Sequence, residues 1–210
     1  SKTPVTGSKY DFQIVFSEPQ SINAHSAAYN KAASDARIES VMLTSMKAMT
    51  ASSERSSKSL EVYTLVPASP QSIRSYVELR SRTNGVEYEL DDSGAIITEK
   101  LAKDTKTDVG EKILFTDSDG NTYSVTVSAI VENYTFHYIY MTEETYKAAT
   151  GKSPEYSYAI GRLSSTFSKA DEDTLTNAKG LISTDLMKTS GITAVAFTSD
   201  TTESISRITD

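Results

Sequence analysis

Two histidines, His25 and His137, are the first side chains to weigh for chemistry. An imidazole pair can hold zinc beside a carboxylate or serve as acid and base near neutral pH. No HExxH or GxSxG pattern flanks either one, so both are read as structural. Asp117, Asp119 and Asn121 have the alternation of a calcium loop, but Gly120 follows Asp119 directly and Ser128 stands where the distant Glu belongs. An Asp-Gly pair is itself a tight-turn signal, so residues 117–120 are expected to form a hairpin tip. No phosphate-cradling Gly-Lys-Ser/Thr loop is present. No catalytic residue, metal ligand or cofactor site is therefore predicted, and the chain is expected not to be an enzyme. One further pattern concerns contact. Tyr134, Phe136, Tyr138 and Tyr140 repeat every second residue along a strand. Such a row fills a core or a cross-strand ladder; left exposed, it grips a glycan or a partner protein.

The composition narrows the class. The chain has 210 residues, 38% of them apolar, enough for one large domain or two small ones. Its 21 basic and 28 acidic residues leave a net charge of −7. Phosphate neutralisation supplies most nucleic-acid affinity, so nucleic acid is not expected as a partner, nor is an anionic membrane surface. There is no cysteine, which removes disulfides, thiolate catalysis and thiolate-bound metals together. That usage fits export from a Gram-positive bacterium. No stretch approaches the ~20 apolar residues of a membrane helix, and no secretory signal segment is visible.

Several elements would position these groups. Residues 10–16 alternate Tyr10, Phe12, Ile14 and Phe16 with Asp11, Gln13 and Val15, predicting a strand. Residues 19–37 predict a helix, with Ile22, His25, Tyr29, Ala32 and Ala36 at helical spacing. Residues 38–50 carry both periods and are read as a strand, because β-branched residues cluster at their start. The Ser-rich stretch 51–59 is expected to be a solvated hairpin tip with nothing to anchor it, and 60–66 a strand. Ser69-Pro70 should start a helix and Asn84-Gly85 a turn before a short strand at 86–90.

The stretch 94–150 reads as strand, short helix, hairpin, strand and helix. Thr98 and Thr142 are the expected caps of its helices, and Gly151 the stop of the second. Residues 156–163 predict a strand, 171–187 a helix bearing Leu175, Ala178, Ile182 and Leu186, and 192–197 a closing strand. The acidic run Asp171-Glu172-Asp173 suits the start of that helix.

The first and last thirds thus share a strand-helix-strand order around a strand-rich block. The fold class predicted is α+β: a discontinuous platform with an inserted subdomain. Residues 1–66 would form the first half, 67–153 the insert and 154–210 the second half, with crossings near Pro67 and Pro154.

Particular motifs carry a family resemblance. They are Val66-Pro67-Ala68 before a Ser-Pro helix start, Gly94-Ala95-Ile96-Ile97-Thr98-Glu99-Lys100-Leu101-Ala102, Val109-Gly110-Glu111-Lys112-Ile113, the run 123–132, and Tyr138-Ile139-Tyr140-Met141 before a helix. In this order they resemble the extracytoplasmic, MacB-type core domain of FtsX-like ABC transporter permeases of Gram-positive bacteria. The resemblance implies a porter-like platform, a membrane helix on each side of the domain, and a cytoplasmic ATPase subunit as partner. It also implies a second permease copy as a possible partner, and a non-catalytic role in binding a substrate or partner and transmitting ATP-driven movement at the cell membrane. The alternative is a free-standing cell-surface binding module, an adhesin or cell-wall domain using the same aromatic row. A hydrolase with an unfamiliar carboxylate site is the third reading, and the absence of Cys and scarcity of His count against it.

Overall fold

Alternation places Phe12, Ile14 and Phe16 on one buried face of β1 (Phe12–Phe16), as a half-buried strand requires. The computed structural model describes residues 9–132 and 136–198. The chain falls into two units, one of residues 45–154 and one of 9–44 with 155 onward.

In the second of these, β1 leads through α1 (Ala27–Ala33) to the first part of β2 (Ile38–Ser53). After the other unit come β8 (Tyr158–Leu163), α4 (Glu172–Met187) and β9 (Ile192–Phe197). The strands lie in the order β2-β8-β1-β9, every neighbour antiparallel. β1 is thus parallel to β2 across β8, and β8 to β9 across β1. Two interleaved βαβ halves of this kind are the split βαβ arrangement of ferredoxin-like folds. The sheet approaches so closely that a Cβ on Gly161 would lie 2.2 Å from the Phe12 ring. Phe12 packs in turn on Phe197 at 5.9 Å between ring centroids. Ile182 and Leu186 are the buried residues of α4, and Ala28 and Ala32 those of α1. Asp171 caps α4 by accepting from the Thr174 amide.

The expected helix over 19–37 is reduced to the seven residues of α1. Upstream, side chains take the backbone bonds a helix would need. Ser26 Oγ accepts from the Ser21 amide at 2.8 Å, and Asn23 Oδ1 accepts from the His25 amide at 2.8 Å. Ile22 and His25 are exposed on this loop rather than lying on a helical face.

The unit of residues 45–154 holds the rest of β2 with β3 (Ser56–Pro67), β4 (Ala95–Thr98), β5 (Lys112–Thr116), β6 (Thr122–Val131) and β7 (Tyr138–Tyr140). Its helices are α2 (Glu99–Thr105) and α3 (Glu143–Thr150). The pairings run β2-β5-β6-β4-β7-β3 and return to β2, closing a six-membered circuit of strands. β4–β6 and β3–β7 are parallel pairs. All four residues of β4 are buried, and α2 packs against β3, β4 and β6. Gly94 is required beside β6, because a Cβ there would meet the Thr126 carbonyl at 2.4 Å.

Strand pairing also relocates several expected boundaries. The chain passes between units at Thr44–Ser45 and at Pro154–Glu155, so Pro67 lies inside the 45–154 unit. β3 runs on to Pro67 and pairs with β7 over Tyr63–Leu65. The Ser-rich stretch is not a free loop. β2 and β3 run through it to a tip of only Glu54 and Arg55. Residues 70–75 form a 3-10 turn, without a side-chain cap from Ser69. The expected strand at 86–90 is a single bridge between Arg80 and Glu87. Thr98 does not cap α2; its Oγ1 accepts instead from the Tyr138 amide.

Candidate binding groove

The aromatic row is spread by the fold. Only residues 138–140 of it are strand; Phe136 lies in the segment entering β7, and Tyr134 lies outside the described residues. Tyr138 and Tyr140 are two apart on one face and stack at 5.3 Å with an interplanar angle of 18°. Tyr140 is 5% exposed and belongs to the core, while Tyr138 and Phe136 are half-buried. The partner absent from the sequence reading is Tyr63. The parallel register β3–β7 sets Tyr63 opposite Tyr138, at 6.1 Å between rings. Tyr63 also meets Phe136 edge-on, at 5.8 Å and 80°. Its place in the alternating run 60–66 was the available signal, but only the register shows what it faces.

Tyr63 and Phe136 border an open groove of about 630 Å³. Its floor is residues 48–50 of β2 and 60–63 of β3. Its walls are Thr116-Asp117-Ser118 on one side and Phe136-His137 on the other. Glu61 and Asp117 are its carboxylates and His137 its imidazole; no lysine or arginine is among the described residues that line it.

Asp117 organises the hairpin. Its Oδ1 accepts from the Asp119 and Asn121 amides at 3.0 and 2.9 Å. Its Oδ2 accepts from the Tyr123 hydroxyl at 3.2 Å and from Asn121 Nδ2 at 3.3 Å. These donors, the Asn121 amide foremost, hold its carboxyl below the usual range. Gly120 turns the chain at φ +84°. The sequence Asp117-Ser118-Asp119-Gly120 is therefore a turn, its first carboxylate engaged by the turn itself. Among the described residues, no three His, Asp or Glu side chains converge as a metal site.

His137 gives its carbonyl to the Tyr63 amide at 3.0 Å. Its Nδ1 is buried without a hydrogen-bond partner among the described residues. Burial above all, and then the Lys100 charge, holds the imidazole below its ordinary value of 6.5, with Asp104 opposing.

Comparison with known proteins places the fold. No protein-family model and no curated protein matches the sequence. Among solved structures, the chain matches the periplasmic region of MacB from Actinobacillus actinomycetemcomitans with a TM-score of 0.50 at 11% identity, over 95% of this chain and 94% of that one. It also matches the extracellular domain of the noncanonic ABC-type transporter YknZ from Gram-positive bacteria, with a TM-score of 0.44 at 14% identity, over 88% and 98%. A domain of a putative permease protein from Porphyromonas gingivalis follows with a TM-score of 0.43 at 16% identity, over 89% and 86%. The fold is the α+β fold of the MacB-type extracytoplasmic domain, with a large sheet of antiparallel and parallel pairs and several helices.

Proposed function

We propose that the chain is the non-catalytic extracytoplasmic domain of an ABC transporter permease. In this reading it lies outside the cell membrane, is held there by membrane helices flanking it, and moves with a cytoplasmic ATPase subunit. The observation that carries the reading is the extent of the match to MacB's periplasmic region, over 95% of this chain, together with a split βαβ unit interrupted within β2 by a closed strand circuit. The groove and the aromatic side chains Phe136 and Tyr138 are the surface offered to a substrate or partner. The unit of residues 9–44 and 155 onward serves as the platform that passes movement to the inserted unit.

The absence of cysteine makes location directly testable. Asp119 is exposed at the hairpin tip, so Asp119→Cys in the full-length gene product adds a reporter thiol to a domain that has none, with the unsubstituted protein as the control. A membrane-impermeant maleimide should label it in intact cells. Labelling that required cell lysis would place the domain inside and overturn the proposal.

A further inference from the structure

The groove has a chemical bias that points to its occupant. Its free carboxylate is Glu61, exposed on β3, while Asp117 has its oxygens occupied within the turn and contributes charge alone. Glu61 and Tyr63 are two residues apart on one strand, so their side chains leave the same face. A carboxylate therefore stands beside an aromatic ring that a second ring, Phe136, braces edge-on. His137, half-buried, lines the groove beside Phe136.

We infer that this groove receives an arginine side chain from a partner protein. A guanidinium answers each feature at once. It is a planar cation that pairs with a carboxylate through its N–H fork and stacks on aromatic faces. An ammonium gives neither the planar stack nor the fork. The groove is open, floored by two strands and walled by two short segments, so it cannot enclose most of a free small molecule as a drug-sized site does. It suits a single side chain whose remaining binding energy comes from the protein that bears it. The biological setting rests on the reading of this chain as a permease domain; the groove chemistry does not.

The test titrates the purified chain with the blocked pentapeptide acetyl-Gly-Ala-Arg-Ala-Gly-amide, following the Tyr63, Phe136 and His137 side chains by NMR. Saturable shifts at those three residues are expected by about 10 mM peptide, the range of a single weak anchor. Replacing the arginine by citrulline, which keeps the shape and loses the charge, should abolish them. Glu61→Gln, a substitution at an exposed position, should weaken binding about threefold to fivefold, and Tyr63→Leu by a similar factor. No saturable shift, equal binding of the citrulline peptide, or unchanged binding in Glu61→Gln would each overturn the inference. Methylguanidine binding as tightly as the pentapeptide would overturn its assignment to a protein. Failure of the maleimide experiment would leave this titration unchanged, so the two proposals fail separately.

Discussion

His137 couples the groove to pH. The unfolded chain binds its proton near 6.5, whereas burial in the folded chain lowers that value. Between the two, the unfolded state holds more protons, so stability rises with pH across the window. The contribution is complete above the unfolded value and is lost as pH falls through the folded one. Lys100 reinforces this direction and Asp104 offsets part of it. His137→Gln should therefore flatten the loss of thermal stability between about pH 7 and pH 5 relative to the parent chain. Melting curves across that range read it directly, and equal slopes in the two proteins would refute the assignment. Gly161 and Phe12 show the opposite kind of residue effect, in which the absence of a side chain makes room for the far end of a buried ring.

At the scale of elements, the tip of β2–β3 is the most informative. Neither Glu54 nor Arg55 has positive φ, so this two-residue tip lacks the primed turn such hairpins favour. Side chains hold it in place. Arg55 Nε donates to the Lys106 carbonyl at 2.9 Å, and its Nη2 donates to the Lys112 carbonyl at 2.7 Å and to Thr107 Oγ1 at 3.2 Å. Glu111 pairs with the same guanidinium at 3.3 Å. Ser53 Oγ donates to the Thr105 carbonyl and Ser56 Oγ to that of Asp104 at 2.8 Å. Together they satisfy the carbonyls at the end of α2, which Lys106 closes in a left-handed conformation. Arg55→Ala should cost about 1–2 kcal/mol, discounted for the partial exposure of the side chain. Lys58→Ala, which removes one exposed pair at 3.9 Å, should cost less than about 0.5 kcal/mol. Chemical denaturation compares them; equal midpoints would mean that Arg55 does not hold the tip.

At the scale of the whole molecule, the inserted unit has what independent folding needs. Its strand circuit closes on itself, and Ile97, Leu101, Ile113, Phe115, Ile139 and Met141 form a fully buried interior within residues 45–154. Fully burying side chains of this size stabilises a fold by about 1.5–3 kcal/mol each, before chain entropy is set against it. The fragment 45–154 should therefore give a dispersed amide spectrum and a cooperative melt when expressed alone. A fragment that stayed molten would show that the unit depends on the rest of the chain.

Local pattern alone determined the strands with clean alternation, the hairpin at Asp117–Gly120, the Thr142 cap and Gly151 stop of α3, and the strand-helix-strand order at both ends. These follow from contacts between near neighbours, which composition and spacing encode. The motif order from Val66 to Met141 carried the family resemblance, and the fold agrees with it. Tertiary structure decided the rest. α1 is short because Ser21, Asn23 and Ser26 bond locally, a competition that apolar periodicity does not register. Thr98 serves β7 instead of its own helix, because a hydroxyl bonds whichever donor the sheet brings to it. The Ser-rich stretch is anchored by carbonyls about fifty residues away. The groove belongs to the same class: Glu61 with Tyr63, Asp117 and His137 come from three separate stretches of the sequence, and only strand pairing brings them to one place.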